Sequence, residues 1–310
     1  MMKTSFVTQL GWGGIAWRRL LPLELLLLTA TQFTSSAAPI VTVIDDDAHS
    51  VEAIQTVKNI GDRCGIKITF AAIAAYLERK PEVTNELRKY EEEGHEIASH
   101  SLTHNPAIWK VDNAINIQSI EHEVIEAEEV FRRLALHPKS FVYPYGKFPS
   151  NARKVIFDVV GRFYPVAFNA CGDINLPQNT YPLYISRHPL RKHNSMFMTK
   201  KLIDQAVSKD KSWLVILSHS ANSDFSAERL EKTIRYAQES GAIFLPASEA
   251  WEEIKTWTMI PENQISDYSR LADYANALYF HLPLLLVCGG IAFAAFFIGM
   301  IFFHRRVKGM

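Results

Sequence analysis

Between residues 39 and 258 the chain alternates short β-branched or aromatic runs with longer stretches whose apolar residues recur every three or four positions. That alternation predicts a parallel sheet wrapped by helices. Strands are expected at 40–44, 67–72, 96–99, 140–143, 164–168, 184–186, 213–217 and 242–245, and helices at stretches such as 81–93, 115–134 and 228–239. In 115–134 the positions Ile117, Ile120, Val124, Ala127, Phe131 and Leu134 form one apolar face, leaving Glu121, Glu123, Glu126 and Glu128 as a solvated one. About eight strands predict an α/β fold closed, or nearly closed, into a (β/α) barrel.

The two ends differ from this interior and from each other. Arg18-Arg19 precedes an apolar stretch at 20–28 broken by Glu24, and Ser35-Ser36-Ala37-Ala38 follows. Residues 1–38 therefore read as a signal peptide cleaved near Ala38, or as an N-terminal anchor. Residues 282–303 carry no charge and are long enough for a transmembrane helix, and the cluster His304-Arg305-Arg306-Val307-Lys308 places the tail 304–310 in the cytoplasm. The expected layout is thus an extracytoplasmic domain over 39–258, a connector over 259–281, and a C-terminal membrane helix.

Lys plus Arg and Asp plus Glu number 33 each in the 310 residues, so no basic field attracts nucleic acid. Of the three cysteines, Cys288 falls in the membrane segment, while Cys64 and Cys171 are read as structural with a disulfide between them left open.

Chemistry concentrates where strands end. Asp45-Asp46-Asp47 follows the first strand, His100-Ser101-Leu102-Thr103-His104 the third, Tyr143-Pro144-Tyr145-Gly146 the fourth, and Ser218-His219-Ser220 the seventh. In such folds the ends of successive strands converge on one face. Three consecutive acids repel more than a helix cap requires, so a cation or a buried base accounts for at least two of them. Two imidazoles and a carboxylate are a ligand set for a catalytic zinc, which keeps a further position for water.

In this order the segments resemble the polysaccharide deacetylase family, roughly over residues 39–257. The resemblance implies a distorted (β/α) barrel and removal of acetyl groups from N-acetylated sugars. It further implies Asp45 as general base, Asp46 with His100 and His104 as metal ligands, His219 as general acid, and the Tyr145 backbone N–H as an oxyanion donor. Zinc is the expected ion, with cobalt or nickel as alternatives. Three departures stand out. Asp47 occupies the place of a common Gly, so a frame shifted by one, with Asp46 as base and Asp47 as ligand, stays open. Val142 replaces an Arg that orients the base, and Arg187 resembles the Arg that a branch of the family uses instead. For the substrate-lining Asp and Trp only Asp173 and Trp213 are candidates.

The sequence therefore predicts a membrane-tethered, extracytoplasmic, metal-dependent deacetylase of an N-acetylated glycan. Alternatives are a catalytically impaired carbohydrate-binding protein on the same fold, or a deacylase or deformylase of another glycan or lipid-linked sugar.

Overall fold

The structure is a computed structural model and describes residues 38–109, 117–146 and 152–265. The first half runs β1 (Ile40–Asp45), α1 (Val51–Cys64), β2 (Thr69–Ala72), α2 (Ala74–Glu78), α3 (Pro81–Glu92), β3 (Glu96–Ser99), α4 (Pro106–Trp109), α5 (Ile117–Arg133) and β4 (Ser140–Val142). The second runs α6 (Arg153–Val160), β5 (Ala167–Phe168), β6 (His188–Pro189), α7 (Met196–Val207), β7 (Trp213–Ser218), α8 (Ala227–Glu239), β8 (Ile243–Phe244) and α9 (Ala247–Ile254).

β1 is buried along its whole length, which is why it reads as an apolar run rather than an alternation. Its pleat still divides it between two layers. Val41 and Val43 pack with Ile54 and Val57 of α1 and Leu230 and Ile234 of α8, whereas Ile40 and Ile44 enter an inner core with Ala71, Ala98, Val215 and Trp213. At the centre of that inner core the Trp213 indole N–H donates to Thr42 Oγ1 at 2.9 Å, and the Thr42 hydroxyl donates to the Leu245 carbonyl. α9 lays Ala247, Ala250, Trp251 and Ile254 against the same core. Local signals set the long helices: the Ser50 side chain caps α1 by accepting the Ala53 N–H, and Gly65, at φ 67°, ends it.

Among the described residues the strands form one parallel sheet in the order β5-β4-β3-β2-β1-β7-β6. β8 and β2 share one edge of β1, β8 beside Ile40 and Val41 and β2 beside Ile44 and Asp45. The expected closed, or nearly closed, (β/α) barrel followed by a C-terminal transmembrane helix is overturned in its closure, and no helix the structure describes is the expected span. The sheet is a half-barrel: between its edges stand only a Phe168–Ile185 bridge and an Asn175–Trp213 bridge. The predicted strand at 184–186 does not extend because the Asn175 side chain takes both the Ser186 N–H and the Ser186 carbonyl, and Pro182 and Pro189 lack donors on either side. No helix among the described residues is long and apolar enough to cross a membrane. The expected spans at 1–37, 282–303 and 304–310 lie outside the described residues. Residues 259–265, expected to begin a connector, pack on the domain, with Ile265 buried beside Trp109 and Phe141. No disulfide joins Cys64 and Cys171.

His95 ties β2 to β3. Its Nδ1 accepts the Ile68 N–H at 3.0 Å, and burial, with Lys67 adding to it, lowers its pKa to about 4. A histidine depressed in the fold contributes stability that is full above its unfolded pKa near 6.5 and lost as pH falls toward 4. That difference amounts to roughly 3 kcal/mol. Urea titrations at pH 7 and pH 4 should show the loss, and His95→Gln should shrink the pH-dependent part by about that amount.

Candidate metal centre

The C-terminal ends of β1, β3, β4 and β7 bring the acids, the two imidazoles, the 144–146 turn and His219 to one edge of the sheet. β1 and β7 are in register with Asp45 opposite Ser218, and β2 and β3 continue the level with Ala72 opposite Ser99. Parallel strands cut to similar heights therefore set their following residues side by side.

The three acids have three environments. Asp45 has the parity of Val41 and Val43 and is fully buried; its carboxylate accepts the Ser220 N–H at 2.9 Å and the Ser220 hydroxyl at 2.6 Å. Burial pushes its pKa up to about 6, partly offset by those Ser220 bonds. Asp46 continues the parity of Ile40 and Ile44 toward the interior, where Arg187 Nη1 donates to Oδ1 at 2.6 Å. Arg187 is itself fully buried and donates through Nε to the Asn169 carbonyl. Asp47 follows a left-handed backbone turn, φ 75°, that swings it toward the histidines.

Asp47, and not the expected Asp46, thus shares a centre with His100 and His104: one ligand atom from each lies within 4.8 Å of the others. Asp47 Oδ1 is 3.4 Å from His100 Nε2 and 3.8 Å from His104 Nε2. His100 Nδ1 lies 2.7 Å from the Val142 carbonyl, so in the neutral ring Nδ1 carries the hydrogen and Nε2 presents a lone pair. Asp47 Oδ1 is buried and has no hydrogen-bond partner. Two acceptors facing each other at that distance fit a divalent cation between them. Asp47 Oδ2 meets His219 Nε2 at 2.6 Å.

The electrostatics agree with these positions. Burial and then the neighbouring His100 lower the His104 imidazole to about 4, leaving it neutral and able to ligate near pH 7. Burial raises the Asp47 carboxyl, yet the neighbouring His100 and His219 outweigh it and hold it well below the usual carboxylate range. Burial lowers the His219 imidazole, and its bond to Asp47 with the charges of Asp46 and Asp45 reverses this to a net rise.

A second grouping, Asp62, Glu93 and His95, also brings potential ligand atoms together. Lys58 Nζ lies 2.6 Å from both carboxylates, and the Nδ1 of His95 is taken by Ile68, so a cation is already supplied there.

Tyr145 occupies the turn after β4 at φ 61°. Its ring packs on that of His104 at 4.4 Å and its hydroxyl donates to the His104 carbonyl at 3.1 Å. Left-handed non-glycine residues gather here, with Asp47, Ala48, Ser101, His104 and Tyr145 all at positive φ. Each stores about 1 to 3 kcal/mol, the kind of strain that functional loops hold. A cleft opens beside His219, lined by Leu190, Arg191, Leu217, Asn222, Asp224 and Phe225. Of the two substrate-lining candidates, Trp213 begins β7, opposite Ile40 at the far end of the strand from Asp45, and Asp173 lines a separate pocket with Asn169, Cys171 and Asn175. Ser220 and Glu123 make bonds at the site that the sequence did not assign to them. Ser220 had a signal, lying two residues beyond the strand end that carries His219. Glu123, placed on the solvated face, is buried beneath the 100–104 loop.

Residues 35–159 match the family described as polysaccharide deacetylase, so the resemblance in the motifs is borne out over that segment. The match holds the acids, both histidines and Tyr145, and ends before Arg187 and His219. The comparison with curated proteins gives no match. Among solved structures, the Xyl-CE4 domain of a multidomain xylanase from the hindgut metagenome of Trinervitermes trinervoides superposes with a TM-score of 0.51 at 17% identity, covering 73% of this chain and 96% of that one. A Mycobacterium smegmatis protein placed among the polysaccharide deacetylases reaches 0.54 at 12% identity, again covering 73% and 96%. At these identities the likeness is one of fold.

Gly146 is the position on which the Tyr145 turn depends. At φ 63°, an added Cβ would lie 2.2 Å from Ala170 Cβ and 3.0 Å from the Ala170 nitrogen. Gly146→Ala should lower the thermal midpoint by several degrees, through clash and backbone strain together. Pairing it with Ala170→Gly should recover only part of the loss, since the backbone contacts and the positive φ remain.

Proposed function

We propose that this chain, which over residues 35–159 belongs with the polysaccharide deacetylases, a family of hydrolases, is a metal-dependent enzyme that removes N-acetyl groups from an amino-sugar polymer or oligomer outside the cytoplasm. The observation that carries the reading is the Asp47–His100–His104 set, with a buried Asp47 oxygen that has no donor. A divalent cation bound there, zinc by its ligand types, would supply Lewis-acid polarisation of an acyl carbonyl and a lowered pKa for water.

The chain's own residues divide the remaining work. In this reading Asp46 is the general base, its orientation fixed by Arg187 from the buried side through a charge-assisted bond. The expected base, Asp45, is spent on Ser220, so the shifted frame is the one the geometry favours. His219 carries a proton at Nε2 on the rim of the cleft, held on Asp47 until a departing amine takes it. The Tyr145 N–H remains the oxyanion donor that the family resemblance assigns, in a turn made rigid by Gly146 and by the bond to His104. The arginine that Val142 replaces in the resemblance is supplied, in this reading, by Arg187. A site outside the cytoplasm rests on the leader-like order of Arg18-Arg19, the apolar stretch at 20–28 and the small residues at 35–38.

The test is acetate release from N-acetylglucosamine oligomers by the full chain supplied with zinc. Asp46→Asn should lower kcat about 10²- to 10⁴-fold while zinc affinity stays near that of the parent, as expected for removal of a base. Asp47→Asn should weaken zinc binding itself, and Asp45→Asn should act mainly on stability. No acetate release by the zinc-loaded parent, or equal activity in Asp46→Asn, would overturn the reading.

A further inference from the structure

The loop between the two histidines is only three residues long, yet it must turn twice through the left-handed region, at Ser101 (φ 66°) and at His104 (φ 56°). Something has to hold it against that strain. One side is tied to the start of α2, where the Ala74 and Ala75 N–H groups donate to the Ser101 and Leu102 carbonyls. Within the loop, the His104 N–H donates to Ser101 Oγ at 3.1 Å.

The other side is held by one residue of α5. Glu123 is 1% exposed. Its Oε2 accepts the Thr103 N–H at 3.0 Å, its Oε1 accepts the Thr103 hydroxyl, and the Trp109 indole N–H approaches Oε2 at 3.4 Å. Its backbone carbonyl accepts the Leu102 N–H at 2.9 Å. Side chain and main chain of a single residue therefore clasp both residues that stand between Ser101 and His104.

We infer that Glu123 is a positioning residue that sets His104, and with it the spacing of the two imidazoles, for the metal. The inference rests on the reading of Asp47, His100 and His104 as a metal centre. A plain stability role does not fit the chemistry of this residue. A carboxylate withdrawn from water is a poor choice for filling space under a helix, because desolvating it is costly unless several donors face it. Here the donors come from the ligand loop and from Trp109, which follows that loop in sequence. A bidentate grip on the N–H and the hydroxyl of Thr103 removes the loop's freedom to relax out of its two left-handed turns. Ligand atoms that are held beforehand bind an ion more tightly than ligands that must be ordered by it, and loss of such outer support typically lowers metal affinity 10- to 100-fold.

The experiment uses the full chain carrying Glu123→Ala, Glu123→Gln and Thr103→Val, together with Leu87→Ala as a remote core variant of comparable destabilisation. Zinc affinity is measured by competition with a chromophoric chelator, and the visible absorption of the cobalt-loaded protein reports ligand geometry. Glu123→Ala is expected to bind zinc 10- to 100-fold more weakly and to shift the cobalt spectrum even at saturation. Thr103→Val should lose several-fold, Glu123→Gln, which keeps one acceptor for Thr103, should fall between Thr103→Val and the parent, and Leu87→Ala should keep parental affinity and spectrum. Should Glu123→Ala fail to fold, Thr103→Val carries the test alone. Parental zinc affinity and cobalt spectrum in the folded Glu123 or Thr103 variants would overturn the inference while leaving the metal centre intact. A parent protein that binds no zinc would instead remove the metal centre, and this inference with it.

Discussion

Three adjacent carboxylates at the end of one strand cannot share an environment, and the site is organised around keeping them apart. Asp45 is solvated by the dipoles of Ser220, Asp46 by the guanidinium of Arg187, and Asp47 by the edge of an imidazole. The pleat makes the first separation, sending Asp45 toward the helix layer and Asp46 toward the interior. The left-handed turn at Asp47 makes the second. Each acid is thereby given a different environment by its neighbours rather than by its type, although the three stand at consecutive positions.

That separation demands partners from far along the chain. Ser220 and His219 come from the end of β7 and Arg187 from just before β6, so the charges are compensated only once the sheet has formed. The consequence is a site built on the buried strand ends of the sheet, with left-handed backbone in the short turns at its rim. Asp47, Ser101, His104 and Tyr145 all sit in conformations an unsupported chain would leave, and each is held by a named bond or ring contact.

Much of this could be read from the sequence. The strands at 40–44, 96–99, 140–143 and 213–217 and the segments after them were legible because buried parallel strands leave continuous apolar runs, and the convergence of their ends follows from topology. The frame of the acids was not legible. Since β1 is buried on both faces, Ile-Val-Thr-Val-Ile carries no contrast to say which parity points inward. Barrel closure was overestimated because apolar content at 184–186 counts as a strand, whereas the Asn175 side chain had already claimed the backbone of Ser186. Glu123 was misplaced for an avoidable reason. It lies three residues after Ile120 and four before Ala127, on the buried stripe itself, and a charged residue there asks for a partner.

The displaced arginine shows why the motif order alone underdetermines the site. Val142 faces the inner core with Val215 and Ile185, and its carbonyl is already engaged by His100 Nδ1. Arg187, with its Nε anchored on the Asn169 carbonyl, delivers its charge to Asp46 without engaging the histidine. What the buried Asp46 requires is a fixed cation within bonding distance. The inward geometry of a curved sheet lets a residue as distant in sequence as Arg187, 141 positions beyond Asp46, provide it.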